Sequence, residues 1–269
     1  MLSLLVAVDR NLESSFALRT ACFFGEETRV KPIHIQDPPG RDLTFGTGWA
    51  RKSWAREFSK LSEQTIRELV LPERTQCPFI ESPSIITGDP IHTPAEIIWR
   101  EDFDLLLVGA PYRGWGPLVL GRKFRQVAKK EKKDLPLLLV QELHQIHQVT
   151  ALTDGSELAE KGLGLLTRIS SVLTVEIVLV GLTRKDEVNG RSETTHLERG
   201  MAILKEKKGL KPVGHTASTL GQDALLERLN RSDMVVSPFL ADEKHLRYLT
   251  GFFENDCRAS LLYLGQEEG

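Results

Sequence analysis

The stretch from Gly109 to Gly121, Gly-Ala-Pro-Tyr-Arg-Gly-Trp-Gly-Pro-Leu-Val-Leu-Gly, places four glycines in thirteen positions directly behind the apolar run Leu105-Leu-Leu-Val108. A glycine-rich loop between a strand and a helix suits anions: the bare backbone comes close, and unpaired N–H groups at the helix start face negative charge. Arg113, Arg122 and Lys123 would add positive charge, and Gly114 and Gly116 supply extra turns. The bland alternative is a strand-to-helix connection that keeps glycines only for turning. Asp9, at the end of the first apolar run, is open in the same way. It is either a ligand contact or a cap for the next helix, whose N-terminus favours an acid.

Other chemistry finds little support. His144 and His147 lie three apart in a polar connector, with no Cys or further His nearby to complete a metal site. Neither a GxSxG elbow, an HExxH pair, a Walker loop nor a full dinucleotide fingerprint occurs, so no enzymatic activity is expected. The run from Arg122 to Lys133 holds seven basic residues and one acid, yet almost no aromatics for base stacking. It reads as a solvated helix face rather than a nucleic-acid surface.

The chain has 269 residues, 41% hydrophobic and 27% charged, with a net charge of −2. That is the profile of an ordinary globular protein, long enough for two units. Neither half is basic enough to suggest nucleic acid as the main partner. Cys22, Cys77 and Cys257 are odd in number and far apart, and reduced thiols in a cytosol are expected. The apolar start lacks the basic flank and cleavage site of a leader, and no run reaches the roughly 18–20 apolar residues of a membrane span. A cytoplasmic protein without direct membrane insertion is expected.

Short apolar runs alternate with longer amphipathic stretches, the pattern of βαβ units feeding a parallel sheet. In the first half the strands are predicted at Leu4–Val8, Val30–Ile35, Ser84–Thr87, Leu105–Val108 and Leu137–Val140. Between them, Trp54, Phe58, Leu61 and Leu69 make a helical stripe from Arg51 to Val70. Thr93-Pro-Ala-Glu96 reads as a capping box with proline at the first helical position. A basic helix is expected from Phe124 to Lys133.

The same order then repeats. Strands are predicted at Val149–Leu152, Val175–Val180, Lys211–His215, Met234–Val236 and Leu261–Leu264, with a last helix marked by Leu246, Leu249 and Phe253. Asp9 corresponds to Asp154, Gly88 to Gly221, Asp104 to Asp233 and Leu137 to Leu261, at offsets of 145, 133, 129 and 124 residues. A repeat of that length is a duplicated unit, not a solenoid. The expected class is α/β with two tandem doubly wound domains, residues 1–143 and 148–269. Each would have a five-stranded, mainly parallel sheet of the flavodoxin-like or adenine nucleotide alpha hydrolase-like kind.

At this point the sequence resembles the universal stress protein family in its tandem form. The residues that carry the resemblance are Leu4-Leu-Val-Ala-Val-Asp9, Ile33-His-Ile-Gln-Asp-Pro38, Gly88-Asp-Pro90, Asp104-Leu-Leu-Leu-Val-Gly109 and, in the second half, Ala151-Leu-Thr-Asp-Gly-Ser156. The resemblance implies a nucleoside contact at Asp9 and at the backbone of Ile35. It also implies a phosphate loop of pattern G-x2-G-x9-G-[S/T] that starts at Gly109 and ends near Gly121. This chain departs from that pattern: Tyr112 and Arg122 stand where the second and third glycines belong, Gly121 comes one residue early, and no Ser or Thr follows it. The repair in another register would use Gly114 and Gly116, with Arg113, Arg122 and Lys123 supplying charge in place of the missing hydroxyl.

In the second half, Val236-Ser-Pro-Phe-Leu-Ala-Asp-Glu243 has no glycine and two acids, which opposes an anion. The resemblance further implies that the two domains pair through their last strands, Leu137–Val140 against Leu261–Leu264; a homodimer of the whole chain is a separate expectation. The expected function is a non-enzymatic stress-response or regulatory protein with a degenerate nucleotide pocket and no cofactor, acting through a protein partner. Its rival is an ATP or AMP sensor that uses the N-terminal cleft.

Overall fold

The chain, as a computed structural model, is described over residues 1–36, 49–182, 191–206, 209–237, 249, 252–253 and 257–265. The Pro- and Gly-rich segment 37–48, residues 238–243 and most of the stretch expected to form the last helix lie outside these residues. So do the side chains of Trp54, Phe58 and Leu61.

The apolar runs of the first half become five strands: β1 (Leu2–Ala7), β2 (Thr28–Gln36), β3 (Ser84–Thr87), β4 (Leu105–Gly109) and β5 (Leu135–Val140). The second half gives β6 (Gln148–Thr153), β7 (Glu176–Gly181), β8 (Val213–Thr216), β9 (Met234–Val236) and β10 (Ser260–Gly265). They form one ten-stranded sheet in the order β3-β2-β1-β4-β5-β10-β9-β6-β7-β8. Each half therefore repeats the doubly wound order 3-2-1-4-5, and its strands pair in parallel. The halves meet where β5 and β10 pair antiparallel, Leu139 opposite Leu261 and Leu137 opposite Tyr263. That seam removes one open edge from each half.

Strand side chains alternate between two apolar layers because the pleat has a period of two. Leu5, Ile35, Leu106, Val108, Leu139 and Tyr263 point to the layer covered by α3 (His92–Arg100), α4 (Pro117–Glu131) and α8 (Gln222–Arg231). Leu4, Val6, Leu107, Leu138 and Leu262 point to the layer covered by α1 (Leu12–Phe23), α2 (Trp49–Gln76), α5 (Glu157–Ile169) and α6 (Arg191–Lys205). A short α7 (Ala217–Leu220) precedes α8. Both layers run across the seam.

The two halves correspond again in two acids. Asp104 takes the Ser3 N–H at 2.7 Å and its hydroxyl at 2.9 Å, tying the start of β4 to the start of β1. Asp233 takes the N–H groups of His147 and Gln148, each at 2.8 Å, and ties β9 to β6 in the same way.

Three expectations change. The helix after β3 starts at His92, before the expected capping box, and Asp89 Oδ1 caps it by accepting from Ile91 N and His92 N at 2.9 and 2.7 Å. The helix expected from Phe124 begins seven residues earlier, at Pro117 behind Gly116, since proline suits a first turn. Cys22 and Cys77, read as separate reduced thiols, are joined as a disulfide with Cα atoms 6.0 Å apart. They are 55 residues apart in sequence, and the packing of α1 along the end of α2 brings them together. Cys257 is free and buried.

Candidate functional site

In a doubly wound sheet, ligands sit beyond the carboxyl ends of the strands, where the order reverses. In the first half that place lies beyond β1, β2 and β4, where Asp9, the end of β2 and the glycine-rich stretch meet. Asp9 is only 5% exposed. Its Oδ1 accepts from Asn11 N at 2.9 Å and Ser14 Oγ at 2.7 Å, and its Oδ2 accepts from Asn11 Nδ2 at 3.0 Å and Arg113 N at 3.2 Å. The Asp9 N–H in turn donates to Ser14 Oγ at 2.8 Å. Four donors thus surround one carboxylate at the start of α1, where the helix dipole also favours it.

The middle of the glycine-rich stretch, Tyr112 to Trp115, is a closed hairpin. Tyr112 and Trp115 exchange backbone hydrogen bonds at 3.0 and 2.9 Å around Arg113 and Gly114, whose φ values are 52° and 78°. Positive φ at both central residues defines a type I′ turn, the tight turn that matches strand twist. The Ala110–Pro111 peptide bond is cis, and Tyr112 is fully buried. The turn aims Arg113 inward: its N–H reaches Asp9, and its guanidinium Nη2 donates to the carbonyl of Ile35. His34 lies alongside with Nδ1 bonded to the Val8 carbonyl at 2.8 Å. Burial holds its imidazole below the usual range, and the charges of Arg113 and Arg10 push the same way.

Asp9 and Ile35 therefore converge, and Arg113 joins them. Gly109 stands at the wall: a Cβ there would sit 2.0 Å from the Glu13 carbonyl oxygen, so this glycine admits the first turn of α1 against β4. Gly114 makes the turn. Gly121 lies inside α4, where a Cβ would meet the Tyr263 ring at 3.1–3.2 Å; it lets α4 of the first half settle on β10 of the second. Arg122 and Lys123 follow it on the same helix, and the Lys123 ammonium caps the Trp115 ring 4.1 Å from its centroid. The sequence signal for this turn is partial: in Tyr112-Arg-Gly-Trp115 the glycine suits the second turn position, but the first lacks the Asn, Asp or Gly usual there.

In the second half Asp154, 5% exposed, accepts from Ser156 N at 3.0 Å. A Cβ on Gly155 would meet the His196 ring at 2.0 Å, so α6 covers this turn. Glu193 from the same helix is buried and accepts from Ser218 N at 3.1 Å. Residues 238–243, the acidic stretch expected after β9, lie outside the described residues.

His144 and His147 each turn to their own neighbours, Asp233 O at 3.2 Å and Gln145 Oε1 at 3.0 Å. Among the described residues, no cluster of three or more His, Cys, Asp or Glu has the shape of a metal site, and no helix is long and apolar enough to cross a membrane.

Compared with known proteins, the chain matches no family model and no curated sequence. Solved structures do match it. A universal stress protein from Archaeoglobus fulgidus aligns over 99% of this chain and 98% of its own, at a TM-score of 0.63 and 10% identity. The chain has the fold of a universal stress protein. A functionally unknown protein from Pseudomonas aeruginosa aligns over 97% of this chain and 91% of its own, at a TM-score of 0.51 and 12% identity. The cytoplasmic domain of a prokaryotic cation chloride cotransporter aligns over 99% and 96%, at a TM-score of 0.54 and 11% identity. The universal stress protein fold is thus matched at full length, with the strand order and seam described above.

Proposed function

We propose that this chain is a non-enzymatic regulatory protein of two units, residues 1–143 and 148–269, that acts through a protein partner, and that Arg113 holds its N-terminal cleft shut. The observation that carries this reading is the position of Arg113, which engages Asp9 and the Ile35 carbonyl at once. Those are the two groups that the family resemblance assigns to a nucleoside.

A nucleotide entering there would first evict the guanidinium. A hydrogen bond to a charged group contributes about 1.5–3 kcal/mol, so eviction alone weakens a ligand by roughly tenfold to a hundredfold. Arg113 also sits at positive φ, a region costly for a residue with a side chain and usually kept for a purpose. The full-length likeness to the cytoplasmic domain of a cotransporter supports a module that works by contact, since there the fold is one part of a larger protein.

The rival, an ATP or AMP sensor, needs Arg113 to swing out. Purified protein, denatured and extracted, separates the two readings: the extract should hold no adenine nucleotide at a level comparable to the protein. An equimolar nucleotide would favour the sensor.

A further inference from the structure

We infer that Cys22 and Cys77 form a reversible redox site, a thiol pair that exchanges with a low-molecular-weight disulfide of the glutathione class while the fold stays intact. The two are joined, and their Cα separation of 6.0 Å lies inside the span of roughly 4.4–6.8 Å that such bonds use. Cys22, on the last turn of α1, is half-buried, whereas Cys77, just past α2, is 9% exposed. An external disulfide therefore reaches Cys22 first.

The corner does not depend on the crosslink. One turn back, Arg19 Nε donates to both oxygens of Glu73 at 2.9 and 3.1 Å, and Glu73 is only 3% exposed. The Cys77 N–H donates to the Glu73 carbonyl at 2.8 Å, and Ala17, Leu18, Ile66 and Val70 share one apolar layer beneath. With the bond opened, these contacts still hold α1 to α2, so both redox states are folded. This sets the pair apart from a disulfide that staples a fold lacking a core.

The exchange balances as follows. The Cys22 thiolate attacks one sulfur of the small disulfide, forming a mixed disulfide and releasing one small thiol, which takes up the proton. The Cys77 thiolate then attacks the Cys22 sulfur and releases the second small thiol. The protein gives up two electrons and two protons, and the small disulfide takes them. Cys257 stays out of this chemistry: burial pushes its thiol up to about 12, so it forms almost no thiolate.

The test uses the native full chain in graded mixtures of reduced and oxidised glutathione. Samples are quenched in acid, denatured and labelled with a maleimide polymer, with circular dichroism recorded in parallel. Of the three cysteines, all should label in the reducing mixtures and only one in the oxidising ones. Two labels should be lost together, and reversibly, with the helical signal unchanged. Cys22→Ser should keep two labels throughout. Three labels surviving in the most oxidising mixture would overturn the inference, as would a bond that opens only in denaturant. Neither outcome bears on nucleotide binding, so this inference and the reading of the cleft fail separately.

Discussion

At the residue scale, glycines and acids that look alike in sequence do different physical work. Gly109 is fixed by backbone contact with Glu13, so Gly109→Ala should destabilise the protein by about 1–3 kcal/mol through overpacking. Urea unfolding without any ligand measures this, and unchanged stability would refute the packing role. His34 gives a pH signature. Its folded pKa lies below the ordinary value because burial disfavours the charged ring. In the window below the ordinary histidine value of about 6.5, the unfolded chain takes up a proton that the folded chain refuses. Stability is then complete above that value and falls as the pH drops toward the folded pKa. Between pH 8 and pH 5 the wild type should lose more stability than His34→Gln; equal losses would contradict the assignment.

At the element scale, legibility followed periodicity. Strands such as Leu105–Gly109 and Leu135–Val140 were plain because every residue, or nearly every one, is buried on one face or the other. The start of α4 was hidden, since Gly116-Pro117 reads equally as loop and as helix entry. In the candidate site, Asp9 and Ile35 were legible as neighbours because each ends a strand of the same sheet. The inward turn of Arg113 was not, because it depends on a hairpin only four residues long. The Cys22–Cys77 bond was hidden as well, since helix packing rather than spacing creates it. The paired acids make a further prediction. Asp104→Ala should cost about 1–3 kcal/mol by orphaning the part-buried Ser3 N–H, and Asp233→Ala less, about 0.5–1.5 kcal/mol, because water can reach the N–H groups of His147 and Gln148. Thermal or urea denaturation reads both, and a large loss from one with none from the other would argue against equivalent roles.

At the scale of the whole molecule, the β5–β10 seam makes the two halves one sheet with two shared apolar layers. A structure joined in this way should unfold in a single cooperative transition, with fluorescence and circular dichroism coinciding. Separate transitions would contradict the seam. A fragment of residues 1–143 would bare the edge of β5 and should self-associate by edge pairing, visible as a mass above the monomer in light scattering.

The central claim is that Arg113 occupies the place a nucleoside would take. Calorimetric titration of magnesium ATP into the wild type tests it most directly, with Arg113→Gly alongside, because glycine tolerates the φ of 52° at that turn. The account predicts no binding heat from the wild type and measurable binding once the guanidinium is gone. Micromolar binding by the wild type, unimproved in the variant, would contradict it.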